Sequence, residues 1–271
     1  MFKSFTAYRY AGPCAGRNVP FEPCGSLQAE ASGFVRRDDE FAVVRIERKS
    51  VPAEALKRRV DELAAECEQQ TGRKPGKKAR QELKEQAYDE LLPSVLPKRK
   101  DVPVLFLPSR GLVLIGSTSS GDTDVVTSLL IGTTDDLALS LLFTATPAVQ
   151  AMSGWLIEYD PPAEFSIDRF CVLKAADESK SVVRYDKHSL DREDVRDHLR
   201  EGKGVDALAL SYRDRVSFRL TADLQFKSVE LLGVTQEGKD MGADDAELFL
   251  WRAELGALLD ALIAELGGVA Q

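Results

Sequence analysis

AEALKRRVDELAAECEQQTGRKPGKKARQELKEQAYDELLP, residues 53–93, decides how this chain is read. In its first half Leu56, Val60, Leu63, Ala64 and Cys67 recur at spacings of 4, 3, 1 and 3, which places them on one face of a helix and leaves the other faces charged. Gly72, Pro75 and Gly76 interrupt the pattern, because proline lacks an amide hydrogen and clashes with the preceding turn. A second helix is predicted from about Lys77 to Leu92, with Ala79, Leu83, Ala87, Leu91 and Leu92 as its apolar side. The stretch reads as a helical hairpin whose arms, at about 1.5 Å per residue, each project roughly 25 Å. Its turn is basic: Arg73, Lys74, Lys77, Lys78, Arg80 and Lys84 stand against a single acid, Glu82.

Around this hairpin the charge reverses. Residues 45–100 hold 15 Lys and Arg against 10 Asp and Glu, while the rest of the chain holds 21 against 34 within a net charge of −8. Net negative charge argues against nucleic acid, but segregation of the two signs matters more than the sum, since a negative body would orient a basic tip toward phosphate. A solvated surface helix pair explains the same composition. What favours binding is the concentration of cations at the turn. The lack of interleaved aromatics there disfavours base stacking as the main mode.

Upstream, Phe5–Tyr10 and Phe41–Ile46 read as strands separated by turns around PFEPCGS, residues 20–26. Downstream, LLPSVLPKRK closes the hairpin, and VPVLFL and GLVLIGS suggest two paired, buried strands. Residues 122–143 are expected to be helical, with TATPAV as the exit and EYDPPAEF as a linker. FCVLK and SVVRY form a candidate hairpin, Asp191 a candidate N-cap for REDVRDHLRE with Gly202 at its stop, and VDALALSY, RVSFRLT and LQFKSVELL three more strands. A last helix, about Asp244–Leu266, carries a stripe of Leu248, Trp251, Leu255, Leu258, Leu259, Leu262 and Leu266. The expected class is α/β with mixed α+β sheets, divided as a strand region 1–50, the basic hairpin 51–102, a central region 103–160 and a C-terminal α/β region 161–271.

At 271 residues with 44% hydrophobic and 30% charged content, the chain can build a real core. MFKSFTAYRY is too polar for a signal peptide and no run approaches the roughly 20 apolar residues of a membrane span, so a cytoplasmic, non-membrane protein is expected. Cys14, Cys24, Cys67 and Cys171 show no CxxC spacing, and only His188 and His198 could join them as soft ligands; reduced structural thiols, no metal and no cofactor are expected. Gly116–Thr123 has nearly the spacing of a phosphate-binding loop, but Asp122 stands where that chemistry needs lysine. Asp168 with Glu178 and Lys180 could be written as a carboxylate-plus-lysine nuclease set, yet the latter two fall in a surface turn. No catalytic residue is assigned, and a non-enzyme is expected.

FKSFTAYRY, PFEPCGS, the hairpin ending LLP, LDREDVRDHLREGKGVDALALSYRDRVSFRL and ELGALLDALIAELGG, in that order, resemble the bacterial recombination-associated RdgC family, sometimes labelled an exonuclease. The resemblance implies a curved protomer that pairs at both ends into a ring-shaped homodimer. Double-stranded DNA would occupy a basic central hole, bound without sequence preference because phosphates carry no base identity. It also implies nucleoid association and restraint of a recombinase by occupying duplex DNA. A metal-dependent exonuclease and a direct protein inhibitor of the recombinase are the alternatives. By position it marks Arg73 and Lys187 as DNA-facing, and with them the candidate DNA-binding set becomes Arg73, Lys74, Lys77, Lys78, Arg80, Lys98, Arg99 and Lys187. Leu96 is a departure: the family pattern has an aromatic after LLP that helps close a dimer contact, so Leu96 is the candidate dimer residue.

Overall fold

The periodicity of residues 53–91 produces two helices, α1 (Ala53–Thr71) and α2 (Lys77–Leu91), in a computed structural model that describes residues 2–14, 16–233 and 243–270. The strands are β1 (Ser4–Ala11), β2 (Glu30–Arg37), β3 (Phe41–Arg48), β4 (Lys98–Leu107), β5 (Leu112–Ile115), β6 (Ala138–Leu141), β7 (Phe165–Ala175), β8 (Val182–Asp186), β9 (Lys203–Tyr212), β10 (Val216–Thr221) and β11 (Gln225–Leu231). The remaining helices are α3 (Ser120–Thr133), α4 (Ala148–Glu158), α5 (Glu193–Arg200) and α6 (Ala243–Glu265). The fold is a mixed α and β structure built on an open antiparallel sheet. Packing divides the chain into two units, one of Met1–Arg17, Asp38–Ala42 and Pro103–Gln271, the other of Asn18–Arg37 and Val43–Val102.

In the larger unit the strand order is β4-β5-β1-β11-β10-β9-β7-β8, with β6 also paired to β1. Alternation sets what each face carries. In β10 Val216, Phe218 and Leu220 are buried and Ser217, Arg219 and Thr221 are not, the period of two expected of a strand with one face on the core. Phe5 stacks on Phe226 with ring centroids 4.3 Å apart, and Phe218 leans on Phe226. The C-terminal helix α6 adds Trp251, Leu255, Leu258, Leu259 and Leu262, all buried. Arg110 fastens that helix with a two-pronged bond to Asp260 at 2.8 and 2.6 Å. Most of the apolar stripe of α6 thus packs into the core of its own unit.

In the smaller unit α1 and α2 pack through a small cluster, Val60, Leu63 and Ala87, with Leu56 and Leu83 half-buried beside it. Arg59 of α1 donates to Glu90 of α2 at 2.7 Å, and Arg80 of α2 to Asp61 of α1 at 2.6 Å. Helix α1 stops at Gly72, whose φ of 70° lies in the left-handed region that glycine enters without a Cβ penalty. Strand β2 has no clean alternation in EASGFVRR. It is placed instead by close backbone contact: a Cβ on Gly33 would lie 2.5 Å from Cα of Phe21.

Several expectations change. The helix expected over 122–143 ends at Thr133, and Ala138–Leu141 is strand β6, paired with Tyr8–Ala11. Two β-branched threonines and Asp136, at a φ of 59°, break the helix between them. The expected exit TATPAV instead opens α4, which Pro147 starts and which buries Ala148, Met152 and Leu156 at four-residue steps. Arg192, not Asp191, occupies the N-cap of α5; Asp191 accepts a hydrogen bond from Arg196 Nη2 at 2.5 Å. Lys98, Arg99 and Lys100 do not close the hairpin but open strand β4.

Candidate nucleic-acid interface

The connection between α1 and α2 presents Arg73 and Lys74 in the turn and Lys77 and Lys78 in the first turn of α2, all exposed. None of these four side chains forms an ion pair among the described residues. Helix α2 starts with no acid in its first turn and no side-chain cap, so two lysines sit at the end of the helix that carries partial positive charge. That arrangement costs stability and is repaid by an anion at the same place. Arg80 differs, because Asp61 already holds it.

The other candidates of this unit sit at the start of β4. Lys98 is exposed without an ion pair among the described residues. Arg99 reaches Glu47 of β3 at 2.7 Å, and that carboxylate is wholly buried. The Arg99 guanidinium, with the Cys24 backbone N–H, holds the Glu47 carboxyl below the usual carboxylate range. Next to them Arg45 clamps Asp101 at 2.6 and 2.7 Å and holds its carboxyl low in the same way. Leu96 is 88% exposed, between the short 3-10 turn Leu92–Ser94 and β4.

Lys187 belongs to the larger unit. It follows β8 with a φ of 56°, exposed, and the next backbone N–H, of His188, donates to the Arg169 carbonyl at 3.2 Å. Close by is a cluster that sequence reasoning passed over. Arg184 of β8 and Arg219 of β10 both lie over the ring of Phe170, at 5.0 and 3.9 Å from its centroid. Lys227 of β11 stands opposite Arg219 in the β10–β11 register. Alternation in RVSFRLT and LQFKSV marks Arg219 and Lys227 as off-core, but nothing local tells which strands lie between them and Arg184.

The other motifs resolve into structure. In Gly116–Thr123, Ser117 Oγ donates to the buried Asp122 carboxylate at 3.0 Å and accepts from the Ser119 backbone N–H at 3.2 Å, so the loop satisfies itself. A Cβ on Gly116 would lie 2.5 Å from the Pro103 ring, which accounts for the glycine. Asp168 accepts from Ser211 Oγ at 2.9 Å, whereas Glu178 and Lys180 sit exposed in the β7–β8 turn. Among the described residues no group of three His, Cys, Asp or Glu could hold a metal ion. No helix of the described residues is long and apolar enough to cross a membrane. The Cys171 thiol is pushed up to about 12 by burial.

Comparison with known proteins agrees over the full length. Residues 2–269 match the family model described as "Putative exonuclease, RdgC". The chain is 33% identical to the recombination-associated protein RdgC of Bordetella pertussis and 36% identical to that of Cupriavidus pinatubonensis, covering 98% of both chains in each case. It is 34% identical to the protein of the same name from Burkholderia ambifaria over 92% of this chain and 87% of that one. The motifs at both termini, the match across residues 2–269 and identities of this size over whole relatives place the chain in the recombination-associated RdgC family.

Proposed function

We propose that this protein binds duplex DNA without regard to sequence, as a homodimer that closes around the duplex, and so restrains recombinase action without cutting the DNA. One observation carries the reading: Arg73, Lys74, Lys77 and Lys78 are gathered, exposed and without ion pairs among the described residues, at a helix start where only an anion would stabilise them. Such contacts go to phosphate and position the protein without reading bases. The relatives' printed name, recombination-associated protein, supports the recombination side of the proposal.

The test is equilibrium binding to random-sequence duplexes across a salt series. Each neutralised phosphate adds about 0.9 to the log–log slope, so several cations produce a steep dependence and little discrimination among sequences. Circular duplex retains an encircling dimer better than linear duplex of the same length. A slope near zero, or a monomer by light scattering that holds both topologies equally, overturns the proposal. Incubation of linear duplex with Mg²⁺ or Mn²⁺ distinguishes it from the exonuclease reading that the family model's description suggests: release of nucleotides by the purified protein, lost in Glu178→Ala, favours cleavage.

A further inference from the structure

We infer that the hollow between α1 and α2, floored by Leu56 and Val60 and walled by Lys57 and Lys84, is a docking site for an acidic peptide that carries one large apolar anchor residue. The site is distinct from the basic turn and does not depend on the duplex reading.

Helical spacing builds the hollow. On α1, Ala53, Leu56, Lys57, Val60 and Asp61 follow one another at steps of 3, 1, 3 and 1, which is one face of a helix, and on α2 Arg80 and Lys84 are one turn apart. Together they border about 320 Å³ that opens to solvent. That is the low end of ligand-pocket volumes, room for one side chain and not for a cofactor. Val60 belongs to the small cluster with Leu63 and Ala87, and Leu56 is half-buried beside it. An apolar group entering the hollow therefore extends the hairpin's own core and covers Leu56.

The charges select what can enter. Lys57 and Lys84 are exposed, come from different helices and form no ion pair among the described residues. Arg80 differs, since Asp61 holds it at 2.6 Å. The hollow thus sets two uncompensated positive charges above an apolar floor. Past Lys84 the surface changes sign: Glu85, which accepts from Gln81 at 3.0 Å, and Asp89 border the next depression beside Tyr88. An occupant must therefore place its carboxylates on the Lys57 side and cannot be acidic along the whole helix pair. A duplex backbone would meet the lysines but offers nothing apolar to the floor, because its contacts are phosphate and sugar. A purely apolar partner would leave both ammonium groups unanswered. A peptide with carboxylates next to an aliphatic or aromatic anchor satisfies floor and walls together, the pocket taking one side chain and the rim cations choosing the charge.

The experiment is fluorescence polarisation of the full-length protein with a fluorescein-labelled synthetic hexapeptide, Leu-Phe-Asp-Asp-Glu-Asp, and with the same peptide whose Leu and Phe are replaced by Ser. The first is expected to bind at micromolar concentration, and the second at least about tenfold more weakly, because burial of the anchor is lost while the charge is kept. Lys57→Ala with Lys84→Ala should weaken the first peptide severalfold. Both lysines are exposed, so this variant keeps the wild-type Tm, which thermal unfolding checks. Equal binding of the two peptides, both displaced by random-sequence duplex, would make the hollow a phosphate surface and overturn the inference. So would absence of binding up to about 1 mM, or binding that survives in the Lys57/Lys84 variant and is lost in Lys77→Ala with Lys78→Ala. Peptide binding is read without DNA, so a failure of the duplex proposal and a failure of this one are separate results.

Discussion

Glu47 of β3, fully buried, accepts Arg99 Nε of β4 at 2.7 Å, and its second oxygen accepts the backbone N–H of Cys24 at 2.5 Å. One carboxylate therefore ties the PFEPCGS loop to two strands and at the same time answers the charge of a cation that composition alone would assign to DNA. Arg99, like Arg80, is a candidate cation already held by a carboxylate, and Lys98 beside it is free of ion pairs among the described residues. Lys98→Gln is expected to lower the salt slope of duplex binding by about 0.9, and Arg99→Gln by clearly less, which side-by-side titrations check.

The same carboxylate sets an acid limit. Its folded pKa is depressed, so the stability it contributes is present above its unfolded value of about 4.3 and is lost as pH falls through the folded value. Tm measured downward from about pH 6 should fall less steeply in Glu47→Gln than in wild type through that window. At neutral pH the variant should be the less stable by about 1–3 kcal/mol, toward the lower end because the Arg99 side chain is exposed to water.

Leu96 and Leu258 separate association from folding. Leu96 is 88% exposed, so Leu96→Glu is expected to leave the unfolding free energy within about 0.5 kcal/mol of wild type while shifting the protein toward monomer in light scattering. Leu258 is wholly buried, and Leu258→Ala should cost about 2–5 kcal/mol by opening a cavity, measured by urea unfolding, with self-association followed only through the folded fraction.

The thiols divide by environment. Burial keeps Cys171 protonated at every physiological pH, and thiolate is the reactive form. Alkylation of native protein near pH 8 is expected to spare Cys171 until denaturant is added, as mass spectrometry of the labelled peptides would show; rapid native labelling there would mean that α4, α5 or the β7 strand opens.

Much of this was readable from local pattern. The α1–α2 pair, the stripe of α6 and the alternating strand β10 announce themselves because one buried face imposes a period of 3.6 or 2. Strand β2 did not, because Gly33 is there for backbone approach to Phe21 and not for alternation. Strand β6 is four residues whose partner, β1, lies over a hundred residues earlier. The turn cations were legible because they are contiguous. Arg184, Phe170 and Arg219 were not, since a sheet order of β8-β7-β9-β10 brings them together.

The helix pair buries only Val60, Leu63 and Ala87, and ion pairs such as Arg59–Glu90 and Arg80–Asp61 lie across its exposed flanks. Such pairs are screened by salt, as are contacts to phosphate. Rising ionic strength therefore loosens the scaffold, and under the proposed duplex binding it loosens the hold on phosphate with it, so amide exchange along α2 should quicken over the salt range in which bound duplex would be released. A bound polyanion should reverse both at once, making this arm a part of the molecule whose order depends on its cargo.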